Sequence, residues 1–405
     1  MKALEKRFVL PFILVTSMFM LWGLANNMTD TLLAAFKRIM KMSDTQTSFI
    51  QLAFYGAYFC LALPAAIFIR KHSFKGGVIL GLCLYSAGAI LFLPAARIAS
   101  YAFYLIAIYI MAAGCAVLET ASNPYIMSMG SPETATRRLN IAQSFNPIGS
   151  IMGILISKYF ILKDISLYSV SGTYTALGGV LLVIMVIMLF ANMPEGQDVQ
   201  EQDTVRSSFN RLMKNKRYTM GVVAQFFYVG AQIGVWSFTI RLVMKELGMV
   251  EAEAATIYLV SIIGFCVSRF IYTWLMKYIA SQRLLLTGAT LSIVAAFVVV
   301  VAHGWFAIVA LCLVSIFMSL MFPTIYGLAL YDVENPLKGG RAGDAKIGAS
   351  GLIMAILGGA LLTPLQGMVS DAAGINVSYL VPLGCFLVVL IYAIRLVKPS
   401  VSNES

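Results

Sequence analysis

Two carboxylates, Asp30 and Glu119, stand inside stretches of chain that are otherwise almost wholly apolar. An ionised side chain deep in a bilayer costs about 2.5–3.5 kcal/mol on insertion scales, so such a residue usually has a partner or a task. The task open to a lone carboxyl is to take up and release a proton. Amides and aromatics surround both at helical spacing. Trp22, Asn26 and Asp30 fall at i, i+4 and i+8, with Asn27 three before Asp30, so all share one helix face. Cys115, Glu119, Ser122 and Asn123 form a second stripe, and Gln143, Asn146 and Ser150 a third. Gln225, Tyr228, Gln232 and Trp236 form a fourth, and Ser315, Ser319, Phe322 and Tyr326 a fifth. Amides and carboxylates bond vicinal hydroxyls, and an aromatic face packs on the C–H side of a ring. The chemistry on offer is therefore recognition of a neutral polyhydroxylated ligand beside groups that carry protons. These faces hold no basic cluster, which disfavours phosphorylated or carboxylate ligands. The chain has no phosphate-cradling P-loop, so ATP is not the expected drive.

The elements that position these stripes follow from composition. Of 405 residues, 60% are hydrophobic and 12% charged, against about 25% charged in an ordinary soluble domain. A mean hydropathy of +0.85 is more apolar side chain than aqueous cores can hide, so the natural solvent is lipid. The net charge of +11 does not point to nucleic acid, because the basic residues lie in short gaps between apolar runs without interleaved aromatics. Cys60, Cys83, Cys115, Cys266, Cys312 and Cys385 all fall inside apolar runs with no CxxC pair, so no metal site, cofactor or disulfide framework is indicated. The first apolar run continues into Trp22, Asn26 and Asp30 and reads as a retained span.

Apolar runs of about 20 residues place twelve spans near 8–33, 46–69, 76–96, 101–128, 140–162, 172–193, 217–244, 253–276, 284–302, 304–331, 345–370 and 377–396. With both termini cytoplasmic, 20 of the 29 Lys and Arg fall in inside segments and 8 outside, with Arg269 alone in a span. Such an excess marks the cytoplasmic side. The longest polar stretch divides the chain into a first bundle at 1–193, a cytoplasmic linker at 194–216 and a second bundle at 217–405. Phe209 to Lys214 in the linker has the pattern of a short amphipathic helix on the membrane surface. Asn123-Pro124-Tyr125-Ile126 of the fourth span resembles Phe322-Pro323-Thr324-Ile325 of the tenth, and Trp22-Gly23-Leu24-Ala25-Asn26 of the first resembles Tyr228-Val229-Gly230-Ala231-Gln232 of the seventh. The expected class is an all-α membrane protein of two six-helix halves. Spans 1, 4, 7 and 10 are then expected to line a central cavity.

Each feature also has a plainer role. Amide stripes can simply glue helices together, and Trp22 could anchor at the interface. Arg269 is expected to tie helix ends near the cytoplasmic side. Gly149/Gly153 and Gly77/Gly81 have the spacing of close helix packing. Pro124, Pro147 and Pro323 are expected to kink cavity-lining helices.

Taken together, Leu21-Trp22-Gly23-Leu24-Ala25-Asn26-Asn27-Met28-Thr29-Asp30, Leu118-Glu119-Thr120-Ala121-Ser122-Asn123-Pro124 and Ala142-Gln143-Ser144-Phe145-Asn146 resemble signatures of the fucose–galactose–glucose:proton symporter family of the major facilitator superfamily. Ala224 to Gln232 and Phe322-Pro323-Thr324-Ile325 resemble it in the second half, so the likeness covers nearly the whole chain. The paired Asn before Asp30 resembles the fucose-transporting members. Position 322 is Phe where those carry Tyr. The resemblance implies that Asp30 and Glu119 are linked to proton coupling, that Asn146 lies in the sugar site and that Trp22 is its neighbour.

The expectation is a proton-coupled symporter, not an enzyme, importing a neutral hexose, foremost L-fucose, by alternating access. Candidate sugar contacts are Trp22, Asn26, Asn27, Gln143, Asn146, Gln225, Tyr228, Gln232, Phe322 and Tyr326. Its partners would be sugar, protons and lipid, and it would act as a monomer in a bacterial inner membrane. Alternatives are a glucose/galactose or N-acetylhexosamine carrier of the same family, a drug:proton antiporter, and a sugar receptor that does not transport. The orientation is testable. A cysteine placed at Gln202 should resist an impermeant thiol reagent in intact cells and react in inverted vesicles; labelling from outside overturns the charge argument.

Overall fold

The computed structural model describes residues 6–39, 44–161, 166–194, 204–341 and 343–397. Among them the chain is all-helical and clusters into two compact units. The first, Met1–Leu212 with Asp332–Leu357, begins with α1 (Val9–Ile39), α2 (Asp44–Lys71), α3 (Phe74–Ile90), α4 (Phe92–Ile98) and α5 (Tyr101–Ser128). It continues with α6 (Ala135–Gln143), α7 (Asn146–Ile156), α8 (Leu167–Phe190) and most of α9 (Val205–Lys214). The second unit, Met213–Tyr331 with Gly358–Ser405, holds α10 (Lys216–Leu247), α11 (Glu251–Leu275), α12 (Ser281–Val301), α13 (Gly304–Met318) and α14 (Met321–Leu330). Next in the chain, α15 (Asp344–Met354) belongs to the first unit, and α16 (Gly358–Ala373), α17 (Ile375–Ser378) and α18 (Leu380–Val397) to the second.

Eleven stretches among the described residues are long and apolar enough to cross a membrane, and α1 contributes the apolar segment Val9–Ala25. These coincide with the twelve expected spans. The amphipathic linker segment is helical too: α9 buries Ser208 and Leu212 and exposes Phe209 and Met213. Bonds from α9 are local to its unit. Arg211 grips Asp344 with both ends of its fork at 2.6 and 2.8 Å, and Arg70 donates to the Ser208 hydroxyl at 3.0 Å.

Proline sets where spans break. A residue's N–H in an α-helix bonds the carbonyl four residues earlier, and proline has no N–H to give. Four residues before Pro94 is Ile90, where α3 ends; four before Pro147 is Gln143, where α6 ends. Four before Pro323 is Ser319, the residue after the end of α13. Pro124 behaves otherwise than the other two prolines expected to kink: it is accommodated inside an unbroken α5.

Basic side chains seal other helix ends. Arg138 donates to the carbonyls of Ile126 and Met127 at the end of α5, at 3.2 and 2.5 Å. Lys75 reaches the Leu189 and Ala191 carbonyls at the end of α8, both at 2.8 Å. Arg217 reaches the Leu328 carbonyl of α14 at 2.8 Å and lies over the Tyr331 ring.

Packing between α1 and α7 is backbone on backbone. A Cβ at Gly149 would stand 1.8 Å from the Met20 carbonyl oxygen, and one at Gly23 would stand 2.1 Å from that of Asn146. Gly153 meets Leu24 in the same way, and Gly81 of α3 lies against Gly114 and Leu118 of α5. Small residues permit this approach where lipid offers no hydrophobic drive for helix association. Gly149→Val should therefore lower the unfolding temperature of the purified protein, with a cost of about 1–3 kcal/mol from overpacking. Gly172 has nothing within 4 Å of a built Cβ, so Gly172→Val in the same assay serves as the neutral control; equal effects would refute the close approach.

Candidate functional site

In the first unit the third expected stripe meets α1 and, through Gln143, the second stripe on α5. Asn146 begins α7 just after the proline-made break, is 9% exposed, and donates through Nδ2 to the Phe19 carbonyl at 3.2 Å. Ser150, one turn on, donates to the Gly23 carbonyl at 3.4 Å. Gln143, at the end of α6, donates to the Asn123 side-chain oxygen on α5 at 2.9 Å. Asn27 is half-buried and turns back onto the Gly23 carbonyl at 3.2 Å. The break at Ser144–Phe145 lets Gln143 face α5 while Asn146 faces α1.

Trp22 is half-buried, which suits a ligand-facing ring. Its indole N–H donates to the Tyr58 hydroxyl of α2. Tyr58 and Cys115 are both close enough to Glu119 to interact with it electrostatically. Glu119 is 2% exposed, and neither carboxyl oxygen has a hydrogen-bond partner among the described residues. An isolated carboxylate in such a place costs several kcal/mol, and a bound proton removes most of that cost. The side chains of Asn26 and Asp30 lie outside the described residues.

Tyr58 is a member of this cluster that the sequence did not single out. With Gln51 and Tyr55 it falls at i, i+4 and i+7 of α2, a helical spacing that could have marked it. Only the fold brings it between Trp22 and Glu119.

The second unit holds a separate polar and aromatic cluster. Gln225 on α10 is fully buried, and both atoms of its amide head lack a partner among the described residues. Tyr228, one turn along, donates its hydroxyl to the Met318 carbonyl at 3.1 Å. Its ring is 6.4 Å from that of Phe322, which in turn lies 6.5 Å from Tyr326, near parallel to it. Gln232 is half-buried further along α10, beyond this aromatic group. The Trp236 indole N–H is buried without a partner among the described residues, and its ring meets the edge of Phe265 at 5.0 Å. Ser315 and Ser319 bond Ser261 and Ser268 of α11 at 2.7 and 2.9 Å, so these two hydroxyls serve helix packing. Arg269 does tie a helix end, that of α13 at the mid-span break: its Nε donates to the Ser319 carbonyl at 2.7 Å.

Each unit thus offers amides and aromatics with little charge, and the first adds a carboxyl able to exchange a proton. No group of three or more His, Cys, Asp or Glu able to hold a metal occurs among the described residues.

Comparison with known proteins establishes the family and the fold. The Major Facilitator Superfamily family matches residues 11–343. An L-fucose-proton symporter of Haemophilus influenzae is 39% identical, over 97% of this chain and 98% of the relative. The L-fucose-proton symporter of Escherichia coli is 35% identical, over 96% and 93%. The crystal structure of the transporter FucP in the outward conformation superposes with a TM-score of 0.86 at 34% identity, covering 96% of this chain and 99% of that one. The chain belongs to the major facilitator superfamily, in the branch that holds the L-fucose–proton symporters.

Proposed function

We propose that this protein is a proton-coupled symporter that imports L-fucose by alternating access. The observation that carries the reading is Glu119: a deeply buried carboxyl with both oxygens unpartnered, in a chain alike over nearly its whole length to L-fucose-proton symporters. The ligand chemistry supports it. Asn146, Gln143 and Asn27, with Gln225 and Gln232, offer amide donors and acceptors for sugar hydroxyls; Trp22, Tyr228, Phe322 and Tyr326 offer faces for the ring. Asn26 belongs to the same set by its spacing. A drug:proton antiporter is the poorer reading, because a cavity for apolar cations has no use for so many amides.

The mechanism follows from charge. The empty outward-facing carrier takes a proton on Glu119 or Asp30 and a sugar on the amides. The neutral loaded form crosses, and the proton leaves toward the cytoplasm, where its activity is lower. The membrane potential contributes about 2.3 kcal/mol per charge per 100 mV, enough to drive the sugar uphill. In this proposal 1–193 and 217–405 act as the two halves and 194–216 as the cytoplasmic linker. The protein works as a monomer in the inner membrane of a bacterium, with both termini inside, and catalyses no covalent chemistry.

Two variants test the roles. Glu119→Gln mimics the permanently protonated carboxyl, so it should keep sugar exchange across proteoliposomes and lose accumulation against a gradient; Asp30→Asn should do likewise. Linkage fixes a second sign: if the proton-bound form holds sugar best, raising pH weakens fucose binding to the native protein, and Glu119→Gln removes that dependence. Accumulation and proton uptake by both variants would exclude these carboxyls as the coupling groups. Asn146→Ala should weaken fucose binding by about 1–3 kcal/mol, since a sugar hydroxyl loses its partner in a desolvated site. Calorimetry showing unchanged affinity with normal expression removes Asn146 from the site.

A further inference from the structure

Arg269 has no part in the proposed sugar or proton chemistry, yet it is a cation buried to 3% exposure in a membrane span. Its partner is specific. Pro323 cannot donate to the Ser319 carbonyl four residues before it, and the Arg269 Nε donates to that same oxygen at 2.7 Å. Other side chains gather on the same break. The Tyr228 hydroxyl bonds the Met318 carbonyl at 3.1 Å, and Ser268 bonds the Ser319 hydroxyl at 2.9 Å and the Ile316 carbonyl at 3.1 Å. The guanidinium is held 4.7 Å from the Phe265 ring centroid.

We infer that Arg269 is a positioning residue: it replaces the N–H that Pro323 lacks, and by holding the break between α13 and α14 it sets Phe322 and Tyr326 for the sugar. Lipid supplies no water for a freed carbonyl, so a proline inside a span requires a substitute donor from a neighbouring helix. A charged donor makes the stronger bond. The planar guanidinium can direct Nε at one carbonyl while its flat face lies against an aromatic ring, which a lysine ammonium cannot reproduce. Phe322 stands immediately before the proline and Tyr326 one turn beyond it, so the path of the chain through the break decides where both rings lie. The sugar-facing part of this inference rests on the proposed function; the pairing of Arg269 with Pro323 does not.

A double-mutant cycle tests it. Arg269→Gln, Pro323→Ala and the double variant are purified as full chains. Thermal unfolding is measured, and fucose counterflow in proteoliposomes gives KM and maximal rate. Alone, Arg269→Gln should lower the unfolding temperature and raise KM about tenfold, the scale of one lost charge-assisted hydrogen bond. In the Pro323→Ala background, residue 323 supplies its own N–H, so adding Arg269→Gln should change both readouts by less than half as much. Arg269→Lys should recover only part of the loss. Equal penalties in the two backgrounds overturn the pairing, and a lower unfolding temperature with unchanged KM overturns the positioning role. If Arg269→Gln alone does not fold, a folded double variant supports the pairing and an unfolded one overturns it. If the native protein moves no fucose, the proposed function fails, while the unfolding cycle still decides whether Arg269 answers Pro323.

Discussion

A peptide carbonyl in lipid has no water to fall back on, and the rest of this structure is arranged around that constraint. In a soluble helix, proline costs a bond and the exposed carbonyl turns to solvent. Here Pro94, Pro147 and Pro323 each end a helix segment within a span, and each released carbonyl must be met from inside the protein. The same need explains where four of the buried and half-buried cations went. Arg138, Arg217 and Lys75 stand at the ends of α5, α14 and α8, and Arg269 stands at a break. In each case a cation meets carbonyls at a helix C-terminus, where the helix dipole also favours positive charge.

Because ordinary buried polar atoms are paired, the unpaired ones carry information. A stray hydroxyl such as that of Ser292 costs little. A carboxyl with two unpartnered oxygens and an amide with both ends unpartnered are much more expensive. Glu119 and Gln225 are that expensive, and they sit on the helix faces that the sequence marks as polar. In the proposed function, a proton on Glu119 and a sugar hydroxyl against Gln225 would supply the partners that the described residues do not.

The spans were legible in the sequence because lipid imposes a length, and charge between apolar runs imposes a side. The polar stripes were legible because 3.6-residue spacing survives in any straight helix. What could not be read depends on contacts between distant segments. Tyr58 shares helical spacing with Gln51 and Tyr55, but its meaning comes from Trp22 and Glu119, which only the fold brings to it. Arg269 signals that it is costly but not what it touches: its partner carbonyl is free because of a proline 54 residues later. Ser315 and Ser319 fit the stripe pattern of a ligand face and instead bond α11, because a periodic hydroxyl looks the same whether it meets a ligand or a helix. The grouping of Asp332–Leu357 with the first unit likewise follows from tertiary contacts such as Arg211 with Asp344, which no local pattern encodes.

Coupling needs more than a proton site and a sugar site; each must alter the other's free energy. The first unit contains a short physical route for this. The Trp22 ring is a candidate sugar platform, its indole N–H is held by Tyr58, and Tyr58 lies within electrostatic reach of Glu119. In the proposed mechanism this chain of contacts is the shortest path by which a proton on Glu119 and a sugar at Trp22 would alter each other's binding. Such a path would place the demand for precision on α2, whose Tyr58 is fully buried between the indole of Trp22 and the carboxyl of Glu119.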